Sequence, residues 1–335
     1  MTNSERQPKI VVVTGASGGI GRAIAKAFAR RGDRVALLAR GYAGLEGALK
    51  EVEESGGIGM IVPTDVADYS AVEAAATQVE AAWGAIDIWV NNAMATIFCA
   101  FDEIAPEDFV RATEVTYLGS VWGLRAALKR MKPRDRGTIV QVGSALAYRS
   151  IPLQAPYCGA KSAIRGVVDS LRSELIHDKS NVRLTMVQLS AFNTPQFDWG
   201  RTCLQRQPQP LPPIFQPELA AESVVFAAEH PRREFWVGFP AVRVILANRI
   251  YPALLDRILS RQAYSGQQMD QPLPRERQDN LFAPVTEDYG THGRFDDMAK
   301  SFSLQWWLSR RRGLMVGAFV VFLLAAGLVL GQLFD

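Results

Sequence analysis

The chain has 335 residues, 48% hydrophobic and 21% charged, a composition that excludes a disordered or low-complexity polymer and can fill a sizeable core. Its 37 basic and 34 acidic residues leave a net charge of +3, which gives no electrostatic case for a nucleic-acid partner. The three cysteines (Cys99, Cys158, Cys203) lie far apart with no CxxC, and the three histidines lack ligand spacing. That pattern predicts no metal centre and no disulfide, and points to a reducing compartment.

Residues 1–8 are polar and lack the apolar stretch of a secretory signal. From there to about residue 190, short β-branched runs alternate with helical patterns. Strands are predicted at 10–14, 35–39, 60–63, 86–90, 138–142 and 183–187, and helices at 20–31, 71–83, 106–131 and 160–177. Continuous apolar runs of this kind suit parallel strands buried on both faces, so the alternation predicts βαβ units in a doubly wound sheet. Four prolines at 208–213 mark a loop, followed by a helix at 217–229 and a last strand at 234–239. Residues 243–264 read as a helix kinked at Pro252, apolar on one side, with Arg243, Arg249, Arg257 and Arg261 along it. Such a helix can lie on an anionic membrane surface or pack beside a substrate pocket. Residues 265–303 read as a linker that partly docks.

From Gly313 to Leu330 there are 18 residues without a charge. Extended to Phe334, the run would make a helix of about 33 Å, enough to cross a bilayer. Trp306 and Trp307 and then Arg310, Arg311 and Arg312 precede it, in the order of interfacial anchors and a positive-inside flank. The sequence therefore predicts a single-pass carboxyl-terminal anchor with the large domain on the cytoplasmic side.

Thr14, Gly15, Ser17, Gly18, Gly19, Ile20 and Gly21 span the turn between the first strand and the first helix. Missing side chains let the backbone approach a pyrophosphate, and the helix start supplies unpaired N–H groups and partial positive charge. The second strand ends at Ala39 and Arg40. A dinucleotide site reads the ribose there: no acid stands ready to repel a 2′-phosphate, and the Arg40 guanidinium can hold one, so NADP(H) is the predicted cofactor. Gly18 stands where some NADP binders carry a second basic residue.

Ser144 follows the 138–142 strand, and Tyr157 comes thirteen residues later with Lys161 one helical turn beyond it. A tyrosine exchanges protons near neutrality only if a cation favours its phenolate; lowering its pKa by about three units takes roughly 4 kcal/mol. Lys161, with a cationic nicotinamide, can supply that, while Ser144 hydrogen-bonds the reacting oxygen.

Together the Thr14–Gly21 turn, Asp65 with Val66, Asn91-Asn92-Ala93, Ser144 and the Tyr157/Lys161 pair resemble the short-chain dehydrogenase/reductase family over about residues 8–240. The resemblance implies a Rossmann-type sheet of about seven strands and an NADP(H)-dependent oxidoreductase interconverting a carbonyl and an alcohol. It implies Tyr157 as acid/base, Lys161 on the nicotinamide ribose, Ser144 on substrate, Asp65 on adenine, Asn92 along the cofactor, and Thr194 near the carboxamide. It also implies a dimer or tetramer through the 106–131 and 160–177 helices. There are three departures from the family pattern: Thr116 replaces an asparagine of the proton relay, Met94 replaces a glycine, and residues 189–193 replace a Pro-Gly lip. With the anchor, the reading becomes an enzyme acting on a lipophilic substrate. The rival readings are a dormant dinucleotide sensor, which Thr116 favours, and a membrane scaffold built on the 243–261 arginines.

Overall fold

The computed structural model describes residues 6–311 and 313. Seven strands form one parallel sheet: β1 (Ile10–Thr14), β2 (Arg34–Ala39), β3 (Ile58–Pro63), β4 (Ile88–Asn91), β5 (Thr138–Ser144), β6 (Arg183–Leu189) and β7 (Glu234–Val237). They lie in the order β7-β6-β5-β4-β1-β2-β3. The order reverses between β1 and β4, and such a switch point opens a crevice at the carboxyl ends of the strands. Successive residues of β1 face opposite layers. Val11 and Val13 pack with α1 (Gly19–Ala29), α2 (Tyr42–Glu54) and α7 (Pro217–Glu229). Ile10 and Val12 pack with α3 (Tyr69–Trp83), α5 (Gly119–Met131) and α6 (Ala155–His177). The predicted doubly wound sheet is thus present, with a buried layer on each face.

Three expectations need correction and one is extended. The helix predicted at 106–131 is α4 (Pro106–Thr113), a five-residue π turn (Glu114–Leu118), and α5. One extra residue in a turn does not disturb hydrophobic periodicity enough to be seen in sequence. The helix at 243–264 is two helices, α8 (Phe239–Ile250) and α9 (Pro252–Gly266), because Pro252 cannot continue a preceding turn. The 265–303 stretch, expected to dock in part, docks at several points. Gln268–Pro272 pairs with Arg206–Pro208, Ala299–Lys300 pairs with Ile214–Phe215, and Leu281 is fully buried.

The last correction concerns the cysteines. Cys99 and Cys203, 104 residues apart in sequence, form a disulfide across Cα atoms 5.0 Å apart. It sits where the short strand Ile97–Phe98 pairs with Arg201–Thr202, so the inference of a reducing compartment from unpaired cysteines no longer follows. Cys203→Ser should lower unfolding stability by about 2–4 kcal/mol, because the link closes a long loop in the unfolded chain. Equal urea midpoints for the variant and the oxidised protein would show that the bridge is idle.

Among the described residues no helix is long and apolar enough to cross a membrane. The predicted span at 313–334 lies outside them, apart from Gly313. A final helix, α10 (Leu304–Arg310), packs Trp306 against Phe226 and Phe235 beside β7.

Candidate active site

The site lies in the crevice at the switch point. Gly15 has a left-handed φ of +67°, and a Cβ there would come within 2.8 Å of the Ala93 backbone. Only glycine lets the β1 and β4 ends approach so closely. Thr14 and Asn92 join them: the Asn92 N–H donates to the Thr14 hydroxyl at 2.9 Å, and the Asn92 side-chain amide donates to the Thr14 carbonyl at 3.0 Å. Both side chains brace the crevice floor. Gly19, at φ +54°, abuts Thr194, which the sequence separates from it by most of the domain. Gly44 allows α2 to lie against Ser17, where any Cβ would press on the Ser17 backbone carbonyl at 2.9 Å. Gly44 and Gly47 of that helix are close-approach residues.

Gly15, Ser17, Arg40, Asp65, Val66 and Ala93 line one side of a cavity. Its other side is a segment that sequence reasoning missed, with Pro284, Val285, Glu287 and Tyr289 facing the crevice. This strap is tied down at several points. Arg40 donates to the carbonyls of Asn280, Leu281 (3.2 Å) and Phe282 (2.9 Å). Asp288 pairs with Arg22, Tyr289 packs edge-on to Trp199, and the Gly19 N–H donates to the Gly290 carbonyl at 3.0 Å. Arg40 is therefore not the free guanidinium the sequence suggests. Burial lowers its pKa, and backbone carbonyls of the strap take three of its hydrogen bonds. Asp65 is also engaged, at 2.5 Å from Arg111. Burial pushes its carboxyl up, but the Arg111 hydrogen bond and charge outweigh that and hold it below the ordinary range. Arg111, which also donates to the Leu281 carbonyl, was not legible as a site residue. The only hint of the strap in sequence is the buried Leu281 and the aromatic Tyr289 within otherwise polar chain.

The crevice still fits a dinucleotide. Glycines keep Cβ atoms out of the turn, Ile20 and Gly21 open α1, and the cavity continues from the turn past Arg40 to Asp65 and Val66. Among the described residues no cluster could hold a metal ion.

Ser144 ends β5 and is buried, its hydroxyl accepting from the Leu146 N–H at 3.1 Å. It also lies near enough to the Tyr157 phenol to favour its ionised form. Tyr157 lies in the first turn of α6, with the Lys161 ammonium 5.5 Å from its ring centre. Burial raises the Tyr157 pKa above that of a free phenol, and Ser144 only partly opposes it. Without a cofactor the phenol is neutral at neutral pH, a proton donor rather than a base. Lys161 is 3% exposed, donates to the Val142 carbonyl at 2.9 Å, and is brought by burial to about 8. Thr116, in the π turn, is fully buried; its hydroxyl donates to the Ala95 carbonyl and accepts from the Ala95 N–H, both at 2.9 Å. It fixes the loop after β4 and hydrogen-bonds neither Lys161 nor Tyr157.

Lys161 permits a stability test. Holding its charge in the fold costs about 3 kcal/mol, from a pKa displaced from 10.5 to about 8. Lys161→Met should therefore keep or raise stability at neutral pH, even after losing a hydrogen bond of about 1 kcal/mol. Between pH 8 and 10.5 the unfolded wild type keeps this proton while the folded form has released it. Wild-type stability then rises with pH relative to the variant. Urea midpoints taken across that window should converge; a difference independent of pH would contradict the buried charge.

The short chain dehydrogenase profile matches residues 9–200. An uncharacterized oxidoreductase of Bacillus subtilis, YxnA, is 31% identical over 96% of this chain and 89% of its own length. A fatty acyl-CoA reductase of Acinetobacter baylyi is 29% identical over 67% of this chain and 75% of its own. Among solved structures, an alcohol dehydrogenase of Thermococcus sibiricus complexed with 5-hydroxy-NADP is 30% identical, with a TM-score of 0.60 over 69% of this chain and 96% of that one. Taken with the sheet order and the glycine turn, these matches place the chain in the short-chain dehydrogenase family, as an oxidoreductase.

Proposed function

We propose that the protein is an NADP(H)-dependent enzyme interconverting a carbonyl and an alcohol on a lipophilic substrate. The grouping of Ser144, Tyr157 and Lys161, in a fold that also carries the glycine turn, supports this reading. When bound, the nicotinamide supplies or accepts the hydride. In the reductive direction the Tyr157 hydroxyl donates its proton to the carbonyl oxygen, which Ser144 orients by hydrogen bonding. The nearby Lys161 cation stabilises the phenolate left behind, and burial of Ser144 and Lys161 around the half-buried Tyr157 limits the water that could disperse that charge. In the oxidative direction the same phenolate takes the hydroxyl proton back. Arg40 at the end of β2, with no acid beside it in the chain, supports NADP(H) over NAD(H).

The lipophilic substrate class is supported by the fatty acyl-CoA reductase among the relatives and by the apolar 313–330 stretch, which we read as a membrane anchor leaving the catalytic domain cytoplasmic. NADPH consumption with ketones and aldehydes of increasing chain length tests the reading. A second reading, a dinucleotide sensor without turnover, is favoured by the Gly290 carbonyl on the Gly19 N–H and by Thr116. NADPH binding without consumption of any carbonyl would select it.

A further inference from the structure

The helix α8 is apolar on both sides. Ala241 and Ile245 are buried against the domain, yet Phe239, Leu246 and Ile250 recur on the opposite face and stand 61%, 45% and 66% exposed. Arg243 shares that outer face at helical spacing. On α9 the outer face repeats the composition: Leu254, Arg257, Arg261 and Tyr264 fall within one narrow arc, all exposed. A solvent-facing helix surface normally excludes large apolar residues. Arg243, Arg249, Arg257 and Arg261 form no ion pair among the described residues, and the one acid on these helices, Asp256, is taken by Arg149.

The chain leaves the fold next to this surface. The Gln305 side chain of α10 accepts from the Gly238 N–H and donates to the Trp236 carbonyl, both at 2.9 Å, and Gly238 immediately precedes Phe239. The uncharged 313–330 stretch begins three residues after α10 ends.

We infer that the outer faces of α8 and α9 form an interfacial docking surface for an anionic lipid bilayer, with apolar side chains entering the acyl boundary and arginines meeting headgroup phosphates. The inference rests on the anchor reading of residues 313–330. Charge selects this occupant: four unpaired guanidiniums would repel a second copy of the same face but match an anionic surface. The docking has a consequence for substrate entry. Asn248 donates to the Tyr148 carbonyl at 2.8 Å, Arg149 pairs with Asp256 at 2.5 Å, and Gln267 donates to the Pro152 carbonyl at 2.9 Å. The lipid-facing helices thus brace the 148–154 loop that leads into Tyr157, so bilayer contact sets the active-site approach close to the lipid.

The test uses the full chain with an environment-sensitive fluorophore at Leu246→Cys, and a control at Glu54→Cys on α2, toward the far edge of the sheet. Vesicles are phosphatidylcholine with and without phosphatidylglycerol, and acyl-chain nitroxides serve as quenchers. In anionic vesicles the probe at position 246 should shift to the blue and lose most of its emission to the nitroxides. The position 54 probe should do neither. Replacing all four arginines by glutamine should abolish most of that shift while vesicle flotation persists. A position 246 probe that stays water-like in anionic vesicles overturns the inference, whether or not the chain floats. So does a probe that is shielded yet unquenched, which would mean that protein covers the face. So does a shift that survives loss of the arginines. Loss of flotation with the anionic shift retained overturns only the anchor reading.

Discussion

Tyr157→Phe should lower turnover by about 10²- to 10⁴-fold, the range for removing a positioned acid. The ring stays, so the packing at the first turn of α6 is preserved and only the ionisable hydroxyl is lost. The glycine turn and Arg40 are untouched by this substitution, so NADPH affinity should fall far less than turnover. Single-turnover kinetics separate the two effects. A variant that turned over like the wild type would remove Tyr157 from the chemistry and leave the sensor reading in possession of the site.

Arg40→Asp should reduce NADPH affinity by about 10²-fold or more. A charge-assisted contact to a phosphate contributes about 1.5–3 kcal/mol, and the new carboxylate would repel the 2′-phosphate as well. NADH, which has no such phosphate, should lose far less. The comparison matters here because Arg40 also holds the strap through the carbonyls of residues 280–282. If Arg40 served the strap alone, both cofactors would weaken equally. Parallel titrations with the two cofactors distinguish these outcomes.

Local signals in the chain carried much of the fold and little of what covers the site. β1 and α7 fall where their apolar patterns end, because a strand buried on both faces or a helix bounded by proline leaves a local mark. α2 left a weaker one: Gly44, needed for close approach to Ser17, and Gly47 lower its helix propensity. The π turn at Glu114–Leu118 needs one residue more than an α turn and is invisible to a helical period. The Cys99–Cys203 bridge and the Arg40 and Arg22 contacts to the strap join residues 104 to 266 positions apart. No local pattern encodes such pairs. Ser144, Tyr157 and Lys161 were legible because their spacing is set by one strand end and one helix turn. What surrounds Arg40 was not, since it is built from backbone carbonyls, which every residue has.

The most direct test is isotope transfer. The full-length protein, given NADPH deuterated at the transferred position and a long-chain ketone or aldehyde, should yield an alcohol with deuterium bound to the former carbonyl carbon. The Tyr157→Phe variant should yield almost none under the same conditions. NADPH that binds tightly while no carbonyl in the chain-length series acquires carbon-bound deuterium would contradict catalysis and leave a dinucleotide-binding protein without turnover.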